Sequence, residues 1–89
     1  MNFKYTLPKH LIDKVSVFRE FAPGGMQVTV VTNDGQTHRQ VLLSNCMHII
    51  AMRGCADLPF SVADIADIYQ SREDESPKQR GGWQFWDKW

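Results

Sequence analysis

The stretch MQVTVVTNDGQTHRQVLLSNCMHIIAMR, running from Met26 to Arg53, decides the fold. It holds three β-prone runs separated by two turn signals, Asn33-Asp34-Gly35 and Ser44-Asn45. β-Branched residues alternating on either side of Asp-Gly predict a hairpin, with a tight primed turn at Asp34-Gly35 because glycine accepts positive φ. Strict alternation puts Val28 and Val30 on one face and Thr29 and Val31 on the other. In the second run Val41 and Leu43 oppose His38, Gln40 and Leu42; in the third, Met47, Ile49 and Ala51 oppose His48, Ile50 and Met52. Both faces carry apolar side chains, which a sheet with one wet face does not tolerate. The meander must therefore curl, take a cover on its back, or meet a second subunit.

Upstream, Phe3 and Tyr5 alternate as in an edge strand or lead-in, and Pro8 marks a helix start at the first helical position. Leu11, Ile12, Val15 and Phe18 recur at helical spacing. A rival reading takes Val15, Val17 and Phe21 as alternate residues of a strand, so residues 15–21 stay open between helix and strand. Ala22-Pro23-Gly24-Gly25 ends either element. Downstream, Leu58 and Phe60 turn inward from a Gly- and Pro-punctuated loop. Ser61 is placed to cap a single helical turn through its hydroxyl, and Ile65, Ile68 and Tyr69 read as a closing strand.

After Gln70 the composition shifts. Residues 71–82 contain no large apolar side chain and cannot offset their own ordering entropy, which predicts a solvated polar linker. Residues 83–89 then gather four of the chain's ten aromatic residues. The domain reading is one small β-barrel-like domain over 1–70, a linker over 71–82 and an aromatic tail over 83–89. The fold class is mainly β: an SH3-like or Sm-like small barrel, or a curled antiparallel sheet of four to five strands, with one short N-terminal helix.

At 89 residues there is material for one modest core. Ten basic and ten acidic residues cancel, so no long-range field gathers nucleic acid or an anionic membrane. The N-terminal residues lack an apolar signal-like region and no run reaches spanning length, which predicts a cytoplasmic protein without membrane contact. Cys46 and Cys55 are then expected to be reduced, buried and inert.

The meander resembles the first half of the Sm-like family of small barrels. Val28 to Val30, Asp34-Gly35, His38 to Leu43 and Ser44-Asn45-Cys46-Met47-His48-Ile49 follow the order of that family's strand, glycine hairpin, bent second strand and turn into the third strand. The resemblance covers about a third of the chain and implies a small barrel; in many members it accompanies ring assembly and RNA binding. Three positions depart from the pattern. Gln40 stands where a second glycine usually lets the strand bend, His48 replaces an asparagine that faces RNA, and Arg53-Gly54 comes directly after the third strand instead of later.

Chemistry-bearing constellations are few. Cys46-x-His48, with His38 and Cys55, has metal-ligand residue types, but the paired spacing of structural zinc sites is missing. Neither cysteine stands in a nucleophile motif with an acid, a base and an orienting group. No phosphate loop, dinucleotide fingerprint or paired-carboxylate motif is present. These readings predict a protein that is not an enzyme and uses no metal or cofactor.

The most distinctive feature is the tail. Trp83, Phe85, Trp86 and Trp89 suit a partner's groove, since tryptophan is enriched at binding hot spots; they also suit a lid over the chain's own sheet, because burying one such side chain is worth about 2 to 3 kcal/mol. The functional expectation is a protein-interaction module that associates with another protein or with itself through this tail. The alternative is a nucleic-acid-binding small barrel in which His38, Arg39, His48, Arg53 and Arg80, with the tail, meet phosphates and bases. A third reading, by analogy of size and of the acidic run Glu73-Asp74-Glu75, is a bacterial toxin-neutralising inhibitor of the immunity type.

Overall fold

The computed structural model describes residues 5–75. Strand β1 (Tyr5–Thr6) leads into helix α1 (Lys9–Val15), and the meander follows as β2 (Gly25–Thr32), β3 (Thr37–Ser44) and β4 (His48–Met52). A 3-10 turn at Val62–Asp64 introduces β5 (Ile65–Tyr69), and a single-turn helix, α2 (Arg72–Glu75), ends the described chain. All pairings are antiparallel, in the order β1-β4-β3-β2-β5. The sheet curls strongly into a half-barrel, as the two-sided apolar pattern requires. The mainly β class and the short N-terminal helix stand as read from the sequence; α2 is additional.

Inside the curl lies a core of Leu7, Leu11, Val15, Met26, Val28, Val30, Val41, Leu43, Ile49, Ile65 and Ile68, all buried. Each aliphatic side chain removed from water here contributes about 1.5 to 3 kcal/mol. Leu11 and Val15, one turn apart on α1, cap one end of it. The helix starts one residue later than expected, since Pro8 is the capping residue whose carbonyl accepts from Leu11 and Ile12. Residues 15–21 are neither long helix nor strand: α1 stops at Val15, and Val17 projects into solvent at 83% exposure, which no strand of the core would allow. Gln70 then ties this turn to the sheet, its amide exchanging two hydrogen bonds of 2.8 Å with the backbone of Arg19.

Strict alternation fails at three places: Ala66 is the extra residue on β5, between the pairs Thr32–Ile65 and Val31–Asp67, and the other two shifts fall on β3 and β4. Val28 pairs with Val41 but Val30 pairs with His38, so Arg39 and Gln40 together oppose Thr29 in a β-bulge. The extra residue carries His38 to the face of Val30, not to that of Leu42 as strict alternation implied. Gln40 sits there at φ 59°, so the strand bends in the left-handed conformation without glycine. On β4, Leu42 faces Ala51 and Leu43 faces Ile49, leaving Ile50 as the extra residue and turning Met52 toward the core.

The two hairpins also exchange roles. Between β2 and β3 only Gly35 has positive φ, at 84°, and its amide donates to Thr32 (2.9 Å) while Thr32 donates to Gln36 (3.0 Å). That is a three-residue loop closed by a glycine bulge, so the primed two-residue turn expected at Asp34-Gly35 does not form. The primed geometry occurs between β3 and β4, where Asn45 and Cys46 both have positive φ, 54° and 61°. The loop before β5 differs in one detail: the Ser61 hydroxyl makes no cap, and its carbonyl accepts from the Asp64 amide instead.

Candidate functional site

Two polar clusters stand out, one on each side of the sheet. On the outer face, Gln27 and Thr29 project from β2 with 0% and 1% exposure, which is unusual for polar side chains with no role. Both donate to Asp74 of α2, from Gln27 Nε2 to Oδ1 and from Thr29 Oγ1 to Oδ2, each at 2.8 Å. The Ser71 amide donates to the same Oδ2, and the Asp74 amide donates to Ser71 Oγ, a reciprocal capping box. Gln40, at the bulge, donates to Glu73. The acidic run read as solvated linker is thus divided: Asp74 is 2% exposed and bolted to β2, whereas Glu73 and Glu75 face solvent. A four-residue helix has no stability of its own, so this carboxylate network is what holds α2 in place.

The second cluster is a cleft of about 380 Å³ where the β2–β3 hairpin tip meets the loop before β5, lined among others by Thr32, Asp34, His38, Phe60 and Asp64. The Asn33 amide donates to the Asp64 carbonyl at 2.8 Å and fastens the two walls. His38, 8% exposed, lies against the Phe60 ring, with centroids 4.7 Å apart and planes at 41°. Asp34 Oδ1 accepts from the Thr32 hydroxyl and from the Gln36 amide (3.2 Å). These two bonds, the hydroxyl first, hold the Asp34 carboxyl below its ordinary pKa. Thr32 Oγ1 also lies 3.2 Å from His38 Nε2, where donor and acceptor follow the imidazole tautomer; Nδ1 makes no hydrogen bond among the described residues.

The residues singled out from the sequence are dispersed. Trp83, Phe85, Trp86, Trp89 and Arg80 lie outside the described residues. Arg39 is exposed at the bulge, and the Arg53 amide donates to the carbonyl of Gln40, the residue after Arg39, at 3.0 Å. His48 sits at the opposite end of β4, half-buried, its Nδ1 3.2 Å from Thr6 Oγ1; five residues of strand put it about 17 Å from Arg53. His38 lines the cleft instead of joining them. Cys46 is half-buried, and burial with Glu20 nearby pushes its thiol pKa up, away from a reactive thiolate; Cys55 is exposed, not buried as expected. Among the described residues no three of His, Cys, Asp and Glu are arranged to hold a metal ion, and no helix is long and apolar enough to cross a membrane.

Sequence reasoning reached His38 but missed Thr32, Asp34, Phe60 and Asp64 as its companions, and missed Asp74 altogether. The Thr32-x-Asp34 spacing at a turn was the available signal, since short polar side chains bond locally there. For Asp74 the one local signal was the capping-box spacing Ser71-x-x-Asp74, but the β2 partners that bury it lie 45 and 47 residues away. Comparison with protein-family models, curated proteins and solved structures gives no match for this chain.

Proposed function

We propose that the chain is a non-enzymatic protein-interaction module that associates with itself or a protein partner through its aromatic segment, with Trp83, Phe85, Trp86 and Trp89 as the contact set. The observation that supports this reading is the Asp74 anchor. It fixes α2 on the outer face of β2, and so fixes the point from which residues 76–89 depart. The seven residues 76–82 reach at most about 25 Å. That is comparable to the smallest dimension of the molecule, 24 Å, so the segment can serve this sheet or that of a neighbouring copy. Large aromatic side chains presented from a fixed base suit hot-spot binding, because less entropy is lost on docking.

Light scattering on the full chain and on a variant with the four aromatic residues changed to alanine tests the proposal. A mass above one chain that falls to one chain in the variant supports it. Equal mass, solubility and melting temperature in both would refute it.

A second reading, an Sm-like nucleic-acid-binding barrel, draws support from the bulge at Gln40, where that family's pattern bends at glycine, and from Arg39 in that bulge and Arg53, whose amide bonds to the Gln40 carbonyl. It requires oligonucleotide to quench tryptophan fluorescence, with an affinity that falls as salt rises. A protein-only module ignores the oligonucleotide.

A further inference from the structure

We propose that the outer face of the sheet around Leu42 and Gln27 is the docking site of the chain's own residues 83–89, with one indole N–H donated to Gln27 Oε1. The inference rests on the reading of Trp83, Phe85, Trp86 and Trp89 as a contact set, and adds where that set sits when no partner is bound.

Gln27, Leu42 and Ala51 form one row across β2, β3 and β4, Gln27 pairing with Leu42 and Leu42 with Ala51. Leu42 is 1% exposed, yet it is no part of the core, which lies inside the curl on the other side of the sheet. The described element on its side is α2, which packs on β2 and carries only charged side chains. Four such residues make no apolar cover for a leucine on the neighbouring strand.

Gln27, beside it, is fully buried, and the carboxylate of Asp74 fixes the orientation of its amide, since only Nε2 has a proton to donate to Oδ1. Oε1 is the end left over, and it meets no hydrogen-bond partner among the described residues. A buried carbonyl oxygen left unmet is costly, so a donor belongs there. The row calls for one group that is both an apolar body and a hydrogen-bond donor. Indole is such a group, a large apolar ring with a single N–H.

Chain length selects the occupant. Residues 76–89 leave from α2 above β2, and Leu42 lies on the next strand, about 5 Å across. Residues 76–82 reach up to about 25 Å, so the span is easily covered. Residues 1–4 enter instead at β1, two strands away from β3, where Tyr5 packs against the core. A short tether holds the aromatic segment at an effective concentration on the order of millimolar, which favours the chain's own residues over a neighbour's.

The full chain is isotope-labelled, alone and in an equal mixture with unlabelled chain, and nuclear Overhauser contacts to the Leu42 methyl groups are recorded. Contacts from the indole of Trp83, Trp86 or Trp89 are expected within one chain and absent from the interchain spectrum of the mixture. One indole N–H should exchange with solvent at least about tenfold more slowly than that of free tryptophan. Changing the four aromatic residues of the segment to alanine should shift the Leu42 methyl resonances, whereas Phe3→Ala should not. Contacts only between chains would assign the face to a second copy, contacts from Phe3 would assign it to the N-terminal segment, and indoles all exchanging at the free rate would leave Gln27 Oε1 to water. Each of these overturns the proposal. The association reading fails separately: no contact at Leu42 alongside a mass that still falls in the alanine variant overturns the docking alone. Contacts at Leu42 with one chain's mass throughout support the docking and count against self-association.

Discussion

Replacing Asp74 with alanine removes the acceptor for three donors at once: Gln27 Nε2, Thr29 Oγ1 and the Ser71 amide, each at 2.8 Å. Two of those donors belong to side chains at 0% and 1% exposure, where water cannot replace the lost partner. A hydrogen bond to a charged group contributes about 1.5 to 3 kcal/mol, and a buried donor left unmet costs about 1 to 3 kcal/mol. The contributions are not additive, and α2 relaxes when its capping box is lost, so the expected cost is about 3 to 4 kcal/mol. A chain of this length has a total stability of about 4 to 13 kcal/mol. The loss therefore corresponds to a drop of roughly 15 to 25 °C in melting temperature.

Urea unfolding followed by circular dichroism measures this cost, with an unchanged denaturant slope showing that the same surface is exposed. Thr29→Val, which keeps the shape and removes the hydroxyl, gives the matching half of a double-mutant cycle. The pair should be less destabilising than the sum of its members by about 1 to 2 kcal/mol, because valine makes no demand on the missing carboxylate. Limited trypsin digestion supplies an independent readout, since Arg72 lies in α2 and should be cut faster once the helix loses its anchor. A cost below about 1 kcal/mol for Asp74→Ala, or strict additivity with Thr29→Val, would refute the claim that this network holds α2.

Three further outcomes follow from the geometry. At the bulge, Gln40→Val should be less stable than Gln40→Gly by about 1 to 2 kcal/mol in thermal melts, because a β-branched residue at φ 59° is strained and glycine is not. Gly24→Ala should destabilise by about 1 to 2 kcal/mol, since φ is 77° and a new Cβ would stand 2.9 Å from Asn45 Oδ1; an unchanged urea midpoint would contradict the packing described. Asp34 and Asp67 both have carboxyl pKa values held below the ordinary 3.8, by the Thr32 hydroxyl and by the Lys14 ammonium respectively. Groups lowered in the folded state lend stability that is fully present above the unfolded value and lost as pH falls through the folded one. Stability should therefore decline below about pH 4, less steeply in Asp34→Asn than in the parent, as read from urea midpoints across the acid range.

The meander, the N-terminal helix, the closing strand and the need for a curled or covered sheet were legible because each is written in local periodicity. Alternating β-branched residues in Val28 to Val31, helical spacing at Leu11 and Val15, and apolar residues on both faces are statements about near neighbours. The left-handed turn at Asn45-Cys46 and the glycine bulge at Gly35 were less legible: the turn positions were found, but which hairpin takes the primed form depends on strand register as well as on turn composition. The bulge at Arg39-Gln40 was invisible to a period of two, and it alone moved His38 from the expected outer face into the cleft beside Thr32 and Phe60.

By itself, then, the order of residues determined where strands and helix form and that both faces of the ribbon must be covered, since those follow from side-chain alternation and the aversion of apolar groups to water. Only tertiary structure decided which polar residues go inside. Asp74 reads as one more solvated acid in Glu73-Asp74-Glu75 until folding brings Gln27 and Thr29, more than forty residues away, within hydrogen-bonding distance. A buried charge is tolerated only where its partners meet it, and that meeting is a property of the folded sheet.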